Sequence, residues 1–166
     1  MAPMTSELMT RMSLWLLPKK PLLRLMTASH VLLYRLSQGV VGGLVAGVPN
    51  LLLTTVGRKS GKRFTSPLFF MPYGTSFAVV ASYGGSPVEP GWWKNLKHSG
   101  HGWVQVGPHL FPVTPEQASP EVKAGLWKAF VQLYPGYDAY QARTERVIPV
   151  VLLHPISATF QTSTVS

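Results

Sequence analysis

Asn50-Leu51-Leu52-Leu53-Thr54-Thr55-Val56-Gly57-Arg58-Lys59-Ser60-Gly61-Lys62-Arg63-Phe64-Thr65-Ser66-Pro67-Leu68-Phe69-Phe70-Met71 is the stretch that decides the fold. Two apolar runs, 50–56 and 64–71, flank a seven-residue turn that holds four cations and two glycines. Each run has the length and composition of a strand, and the Gly-bounded basic turn reads as the connection between them. Such a turn can offer backbone N–H groups and paired cations to one anion, most naturally a phosphate. A merely solvated hairpin loop has the same composition, so the turn acquires meaning from what accompanies it.

Beyond this hairpin the chain stays rich in strands. A turn at Pro72-Tyr73-Gly74 leads to a small-residue strand over 77–82, and Gly84-Gly85-Ser86-Pro87 breaks it. A short helix is predicted over 90–99. Strands around 103–106 and 110–113 turn at Gly107-Pro108. A helix over 120–134 stops at Pro135-Gly136, a short one follows over 137–143, and a last strand covers 148–153. About six strands with short links and peripheral helices predict a mainly β fold, a split β-barrel, without βαβ alternation. The turn also lacks the spacing of a P-loop or a dinucleotide fingerprint.

Before the hairpin, Pro21 opens a helix predicted over 21–37. Leu22, Leu25, Met26, Ser29, Leu32, Leu33 and Leu36 form its stripe, with Arg24 and Arg35 outside it. Two readings stand: the stripe packs on the barrel, or it lies on an anionic membrane. Trp15, Lys19 and Lys20 just upstream add weight to the second reading. The predicted organisation is a basic amphipathic segment 1–40, a cofactor-binding barrel 41–155 and a loose tail 156–166.

Composition narrows the chemistry. The 166 residues include 46% hydrophobic and only 13% charged residues, with a net charge of +9. Residues 1–63 hold nine Lys/Arg against Glu7 alone, so an anionic partner belongs there. Cysteine is absent, which removes thiol nucleophiles, disulfides and iron–sulfur clusters. Six acids make a paired-carboxylate hydrolase improbable, and no nucleophile elbow occurs. His98 and His101 flank a glycine with no further ligand nearby and read as turn residues. No segment is a convincing membrane span or secretory signal. A chain this poor in catalytic groups suits a cofactor that carries the chemistry.

Three further motifs point to a ring-binding groove. Val80-Ala81-Ser82-Tyr83-Gly84-Gly85 has small residues that let a flat ligand approach the backbone. Pro90-Gly91-Trp92-Trp93-Lys94-Asn95-Leu96 places two aromatics at a helix start, where N–H groups suit an anion. One of the two tryptophans is expected to be structural. Tyr134, Tyr137 and Tyr140 line a bend; they either bound an aromatic substrate and donate protons or simply pack.

The ordered set of the basic turn, Ser66-Pro67-Leu68, Ala81-Ser82-Tyr83-Gly84-Gly85, Trp92-Trp93-Lys94-Asn95-Leu96, Tyr134-Pro135-Gly136-Tyr137-Asp138-Ala139-Tyr140-Gln141 and Arg143-Thr144-Glu145-Arg146-Val147-Ile148-Pro149-Val150 resembles the deazaflavin-dependent nitroreductases of actinobacteria. The resemblance spans about residues 20–155. It implies a split β-barrel that binds coenzyme F-420 and reduces quinones, nitroaromatics or activated enones by hydride transfer. It assigns the coenzyme's phosphate and polyglutamate tail to Arg58, Lys59 and Ser60. The groove falls to Phe64, Thr65, Ser66, Pro67, Leu68 and Phe69. Val80, Ala81, Ser82, Tyr83, Gly91, Trp92, Trp93, Lys94 and Asn95 would meet the ring and ribityl chain. Ser82 would lie near the reacting ring, and Tyr134, Tyr137 and Tyr140 would shape the substrate pocket, with Tyr140 also reaching the coenzyme.

Two positions depart from the pattern. The family's second basic residue falls on Phe64, and Arg63 stands one place early, on the opposite strand face. Tyr83 replaces an often basic residue. The absence of disulfides is compatible with a reducing cytoplasm, where the enzyme is expected, and the basic amino terminus adds a membrane surface on the inner face. Rival readings are an FMN-binding reductase on the same barrel, a coenzyme-binding barrel without turnover, and a nucleic-acid-binding barrel. Oligomeric state is not legible.

Overall fold

The computed structural model describes residues 20–156. The expectations for residues 1–19 and 157–166 lie outside the described residues. In chain order the elements are α1 (Lys20–Leu36), β1 (Leu44–Val45), β2 (Val48–Val56), β3 (Arg63–Tyr73), β4 (Ser76–Val80), a 3-10 turn (Tyr83–Gly85), α2 (Gly91–Ser99), β5 (Gly102–Val106), β6 (His109–Gln117), α3 (Pro120–Leu133), α4 (Gly136–Ala142) and β7 (Val150–Pro155).

All pairings are antiparallel. The strand order is β1-β2-β3-β4-β7-β6-β5, and β2 also pairs with β5. Six strands therefore close a barrel, and β1 is a two-residue addition at the start of β2. The expected six strands are present; the seventh is new. Leu44-Val45 lies between Gly42-Gly43 and Ala46-Gly47 and is too short to register as a periodic run.

The barrel has two apolar layers. Leu51, Leu53, Val79, Val104, Val113, Val151 and Leu153 fill the interior with Trp93 and Leu96 of α2. The outer faces of β4 and β7 are covered by α3 and α4 through Leu126, Phe130 and Tyr137. Alternation along each strand directs one set inward and the other to the helices. A strand buried on both faces was expected over 77–82, and β4 fits it, with Ala78, Val79 and Val80 all buried.

α1 departs from one of its two readings. Leu22, Leu25, Met26, Leu32, Leu33 and Leu36 are all at least half exposed, so the leucine stripe does not pack on the barrel. The barrel-facing side carries Thr27, His30, Val31 and Tyr34, at spacings of three and four. Tyr34 is 1% exposed. Its hydroxyl donates toward Asn50 O at 3.2 Å and Gln105 O at 3.4 Å, and accepts from the Gly107 N–H at 3.0 Å. This one phenol ties the helix to β2 and to the β5–β6 turn. A buried and fully partnered tyrosine thus marks the face that packs, although the larger apolar area lies on the leucine face. Among the described residues no helix is long and apolar enough to cross a membrane.

One irregularity creates room for a ligand. β3 pairs with β2 from Arg63 to Phe69, but with β4 only from Phe70 to Tyr73. The first half of β3 is therefore an open edge among the described residues. Facing it across the gap are Val80, Ser82 and Tyr83.

Candidate functional site

A cavity of about 940 Å³ runs along this open edge. That size suits a large organic ligand. One bank is β3, with Phe64, Ser66, Pro67, Leu68 and Phe69. The other is formed by Val80, Ser82, Tyr83 and Gly84, with Tyr134, Tyr137 and Tyr140 above. The basic turn and the start of α2 close one end, and α1 closes another.

At the turn end, Gly57, Arg58, Lys59 and Ser60 line the cavity beside Pro90, Gly91, Trp92 and Asn95. The turn is wound by hydrogen bonds from Gly57 N to Lys62 O, 2.8 Å, and from Gly61 N to Gly57 O, 2.8 Å. A Cβ on Gly57 would stand 2.5 Å from the Phe64 ring and 2.9 Å from Ser60 Oγ, so glycine lets the turn fold against Phe64. Asn95, 6% exposed, braces it: its Oδ1 accepts from Arg58 N at 3.2 Å and from Arg58 Nη1 at 3.4 Å. Its Nδ2 donates to Thr55 Oγ1 at 3.1 Å. Arg58, Lys59 and Ser60 themselves are exposed. The result is a braced backbone with two exposed cations, beside a helix start that no side chain caps. That donor set fits a phosphate.

Along the opposite bank the backbone is strained. Tyr83, Gly84 and Gly85 have φ of 49°, 64° and 78°. A left-handed conformation at a bulky residue such as Tyr83 is an outlier that a well-determined neighbourhood must hold. Arg146 holds it. Its Nε donates to Ser86 O at 2.9 Å, and its Nη2 to Ala81 O at 3.1 Å and Ser82 O at 2.7 Å. Gly85 also allows α4 to close in, since a Cβ there would lie 2.5 Å from Tyr140 O. Ser82 and the tyrosines thereby share one region of the cavity.

The three phenols form a packed cluster. Tyr134 stacks edge-on to Tyr137 at 5.4 Å, and Tyr137 to Tyr140 at 6.1 Å. The hydroxyls of Tyr134 and Tyr140 share a hydrogen bond of 3.2 Å. Burial pushes the Tyr137 phenol well above its ordinary range, and the neighbouring phenols add to it. The bond to Tyr134 raises Tyr140, with burial adding. Both stay protonated at neutral pH and can donate.

Some expected contacts fall elsewhere. Thr65 lies on the other face of β3, where its hydroxyl meets Thr54 Oγ1 at 2.9 Å and accepts from Arg35 Nη2 at 3.0 Å. Ala81 is wholly buried in the barrel interior, as is Trp93 at 4% exposure. Lys94 does not line the cavity. Trp93 is thus the structural tryptophan and Trp92 the cavity-lining one. Arg63 also stands apart, its guanidinium 4.7 Å over the Trp103 ring, while Phe64 faces the cavity. The one-residue offset has the expected consequence. Among the described residues no cluster of His, Asp or Glu could hold a metal.

The sequence reading missed Thr27, His30, Val45 and Asn50, which line the α1 end. Asn50 is 5% exposed at the head of a run of leucines. That lone amide in an apolar strand was the available signal.

A family model described as F420H(2)-dependent quinone reductase matches residues 26–155. An F420H(2)-dependent quinone reductase of Mycobacterium tuberculosis H37Rv is 39% identical over 128 residues, 75% of this chain and 86% of its own. A putative quinone reductase of the same kind and organism is 40% identical over 108 residues, 65% of this chain and 91% of its own. Among solved structures, the F420-H2-dependent reductase FDR-A is 38% identical with a TM-score of 0.58, over 64% of this chain and 94% of that one. A structure described as a domain-swapped dimer is 35% identical with a TM-score of 0.60, over 76% and 96%.

Proposed function

The chain belongs to the F420H(2)-dependent quinone reductase family, and from that premise we propose how its residues divide the work. It is an oxidoreductase that draws electrons from reduced coenzyme F-420 and delivers them to quinones. When bound, the coenzyme supplies a hydride. The protein's part is to hold the anionic tail, orient the ring, exclude water and provide a proton.

Arg58, Lys59 and Ser60 hold the phosphate and carboxylates of the tail, with Asn95 fixing the turn from below. The observation that carries this assignment is the pair of exposed cations on a braced turn, opening into a cavity whose far bank is strained and glycine-rich. Phe64, Ser66 to Phe69, Val80, Ser82, Tyr83, Gly91 and Trp92 enclose the ring system. Reduction of a quinone to a hydroquinone requires one hydride and one proton. Tyr134 and Tyr140, joined hydroxyl to hydroxyl, are the proton source, with Ser82 orienting the acceptor or the ring. Nitroaromatics and activated enones fit the same arrangement. Nothing in the comparisons favours FMN or nucleic acid as the ligand.

The barrel, 41–155, carries this site; residues 1–40 bring the enzyme to the cytoplasmic face of a membrane. Support for the second point is the stripe from Leu22 to Leu36, exposed on a helix whose other side is fixed to the barrel, within a segment rich in Lys and Arg. Apolar quinones partition into the same lipid phase.

The test is fluorescence titration of the purified protein with oxidised F-420. Binding is expected in the micromolar range, weakened at least tenfold in Arg58→Ala/Lys59→Ala (about 1.5–3 kcal/mol per charge-assisted contact). Undiminished binding by that variant would remove the tail assignment.

A further inference from the structure

We propose that His30 and Asn50 form a subsite for one oxygen of the quinone acceptor, at the α1 end of the cavity. The inference rests on the quinone reductase reading and adds to it a binding position that the motifs do not supply.

Its first support is an unfinished hydrogen-bond pattern. His30 Nε2 lies 3.2 Å from Gly42 O and 3.4 Å from Asn50 Nδ2. Gly42 O can only accept, so Nε2 must carry the proton and cannot also accept from Asn50. With Nε2 committed to Gly42 O, the Asn50 NH₂ has no acceptor there, and Oδ1 has no partner among the described residues. Asn50 is 5% exposed and borders the cavity. Oδ1 itself has almost no accessible surface, so the group left to meet a ligand from the cavity is the NH₂.

The chemistry of that ligand follows from the surroundings. Thr27, His30, Val45 and Asn50 include no Lys, Arg, Asp or Glu, so this end does not suit the polyanionic tail. Asn50 stands opposite Phe69 in the β2–β3 ladder, while the basic turn begins beyond Val56 and Arg63. Six strand residues span about 20 Å, which separates the two ends by most of a large ligand. The α1 end therefore takes an uncharged oxygen on an apolar frame. A quinone carbonyl accepts from the amide NH₂. The hydroquinone hydroxyl can accept from the same NH₂, so the subsite accommodates both substrate and product.

The experiment uses the full chain, reduced F-420 and 1,4-naphthoquinone under anaerobic conditions, with wild type, Asn50→Leu and His30→Leu. Each variant is expected to raise KM for the naphthoquinone about tenfold, the scale of one lost hydrogen bond to a buried polar group. The Kd for oxidised F-420, measured separately, stays within about twofold of wild type. If Asn50→Leu does not fold, His30→Leu, at a half-buried helix position, carries the test alone. An unchanged KM overturns the proposal. A Kd for F-420 that rises in step with KM also overturns it, by assigning the pair to the coenzyme. A wild-type protein that neither binds F-420 nor reduces the quinone would instead contradict the family reading.

Discussion

Replacing Asn95 by alanine should damage both the fold and the coenzyme end of the site. The side chain is 6% exposed and makes three hydrogen bonds, to Arg58 N, Arg58 Nη1 and Thr55 Oγ1. Thr55 is wholly buried, so its hydroxyl would be left without a partner, at a cost of about 1–3 kcal/mol. Each lost bond to Arg58 adds about 0.5–1.5 kcal/mol at most, less for the exposed guanidinium. A loss of about 2–4 kcal/mol follows. For a chain of this size that lowers Tm by roughly 5–15 °C. The unbraced turn must then be ordered by the ligand, at about 1 kcal/mol, which weakens F-420 binding about fivefold. Asn95→Asp separates the two effects. It keeps an acceptor for Arg58 but places a carboxylate beside the cation, so affinity should fall further than in the alanine variant while stability falls less. Thermal melts followed by circular dichroism and fluorescence titrations with F-420 read the two quantities. A Tm and a Kd both unchanged in Asn95→Ala would refute the bracing role. In an Arg58→Ala background the backbone N–H of residue 58 and the Thr55 hydroxyl still depend on Asn95, so only the share of the effect carried by Arg58 Nη1 should disappear.

Two other outcomes test separate parts of the structure. Leu25→Glu/Leu32→Glu alters only exposed positions of α1, so Tm should hold, while flotation with vesicles containing anionic lipid should drop sharply; equal flotation of variant and wild type would exclude α1 as the lipid contact. Tyr137 and Tyr140 have folded-state pKa values raised above the ordinary 10.0, so the folded chain holds protons that the unfolded chain releases. Stability should be fully present below pH 10 and fall as pH climbs toward the folded values; Tyr137→Phe should flatten that fall in pH-dependent melts, and an identical slope would show that burial of this phenol is not its source.

How much the sequence disclosed depended on the kind of signal. The hairpin around the basic turn, the β5–β6 turn at Gly107-Pro108 and the helix stop before Pro135 were legible because alternation and Pro/Gly punctuation are local. β6 was read as ending at Val113, yet it runs to Gln117 through Pro112 and Pro115. Two prolines suppress a strand reading that pairing with β5 and β7 restores. The orientation of α1 was not legible from hydropathy. The leucines dominate any apolar count, but the face that packs carries Tyr34, whose hydroxyl meets three backbone partners that come together only in three dimensions. The same holds for the site. Motifs led to the basic turn, the glycine-rich bank and the tyrosines, while His30 and Asn50 lie twenty positions apart and are joined only by the docking of the helix.

The half-open β3 carries one more consequence. Exposed strand edges are templates on which chains join to one another and aggregate. Here the edge contains Pro67, which has no N–H to offer, and Phe64 and Arg63 crowd its start. A second polypeptide would find an interrupted ladder, whereas a flat heteroaromatic molecule needs only surface and a few scattered polar groups. The seam is thus selective by omission: it turns away peptides while staying accessible to small molecules, and occupancy by the coenzyme should register as protection against self-association as well as heat.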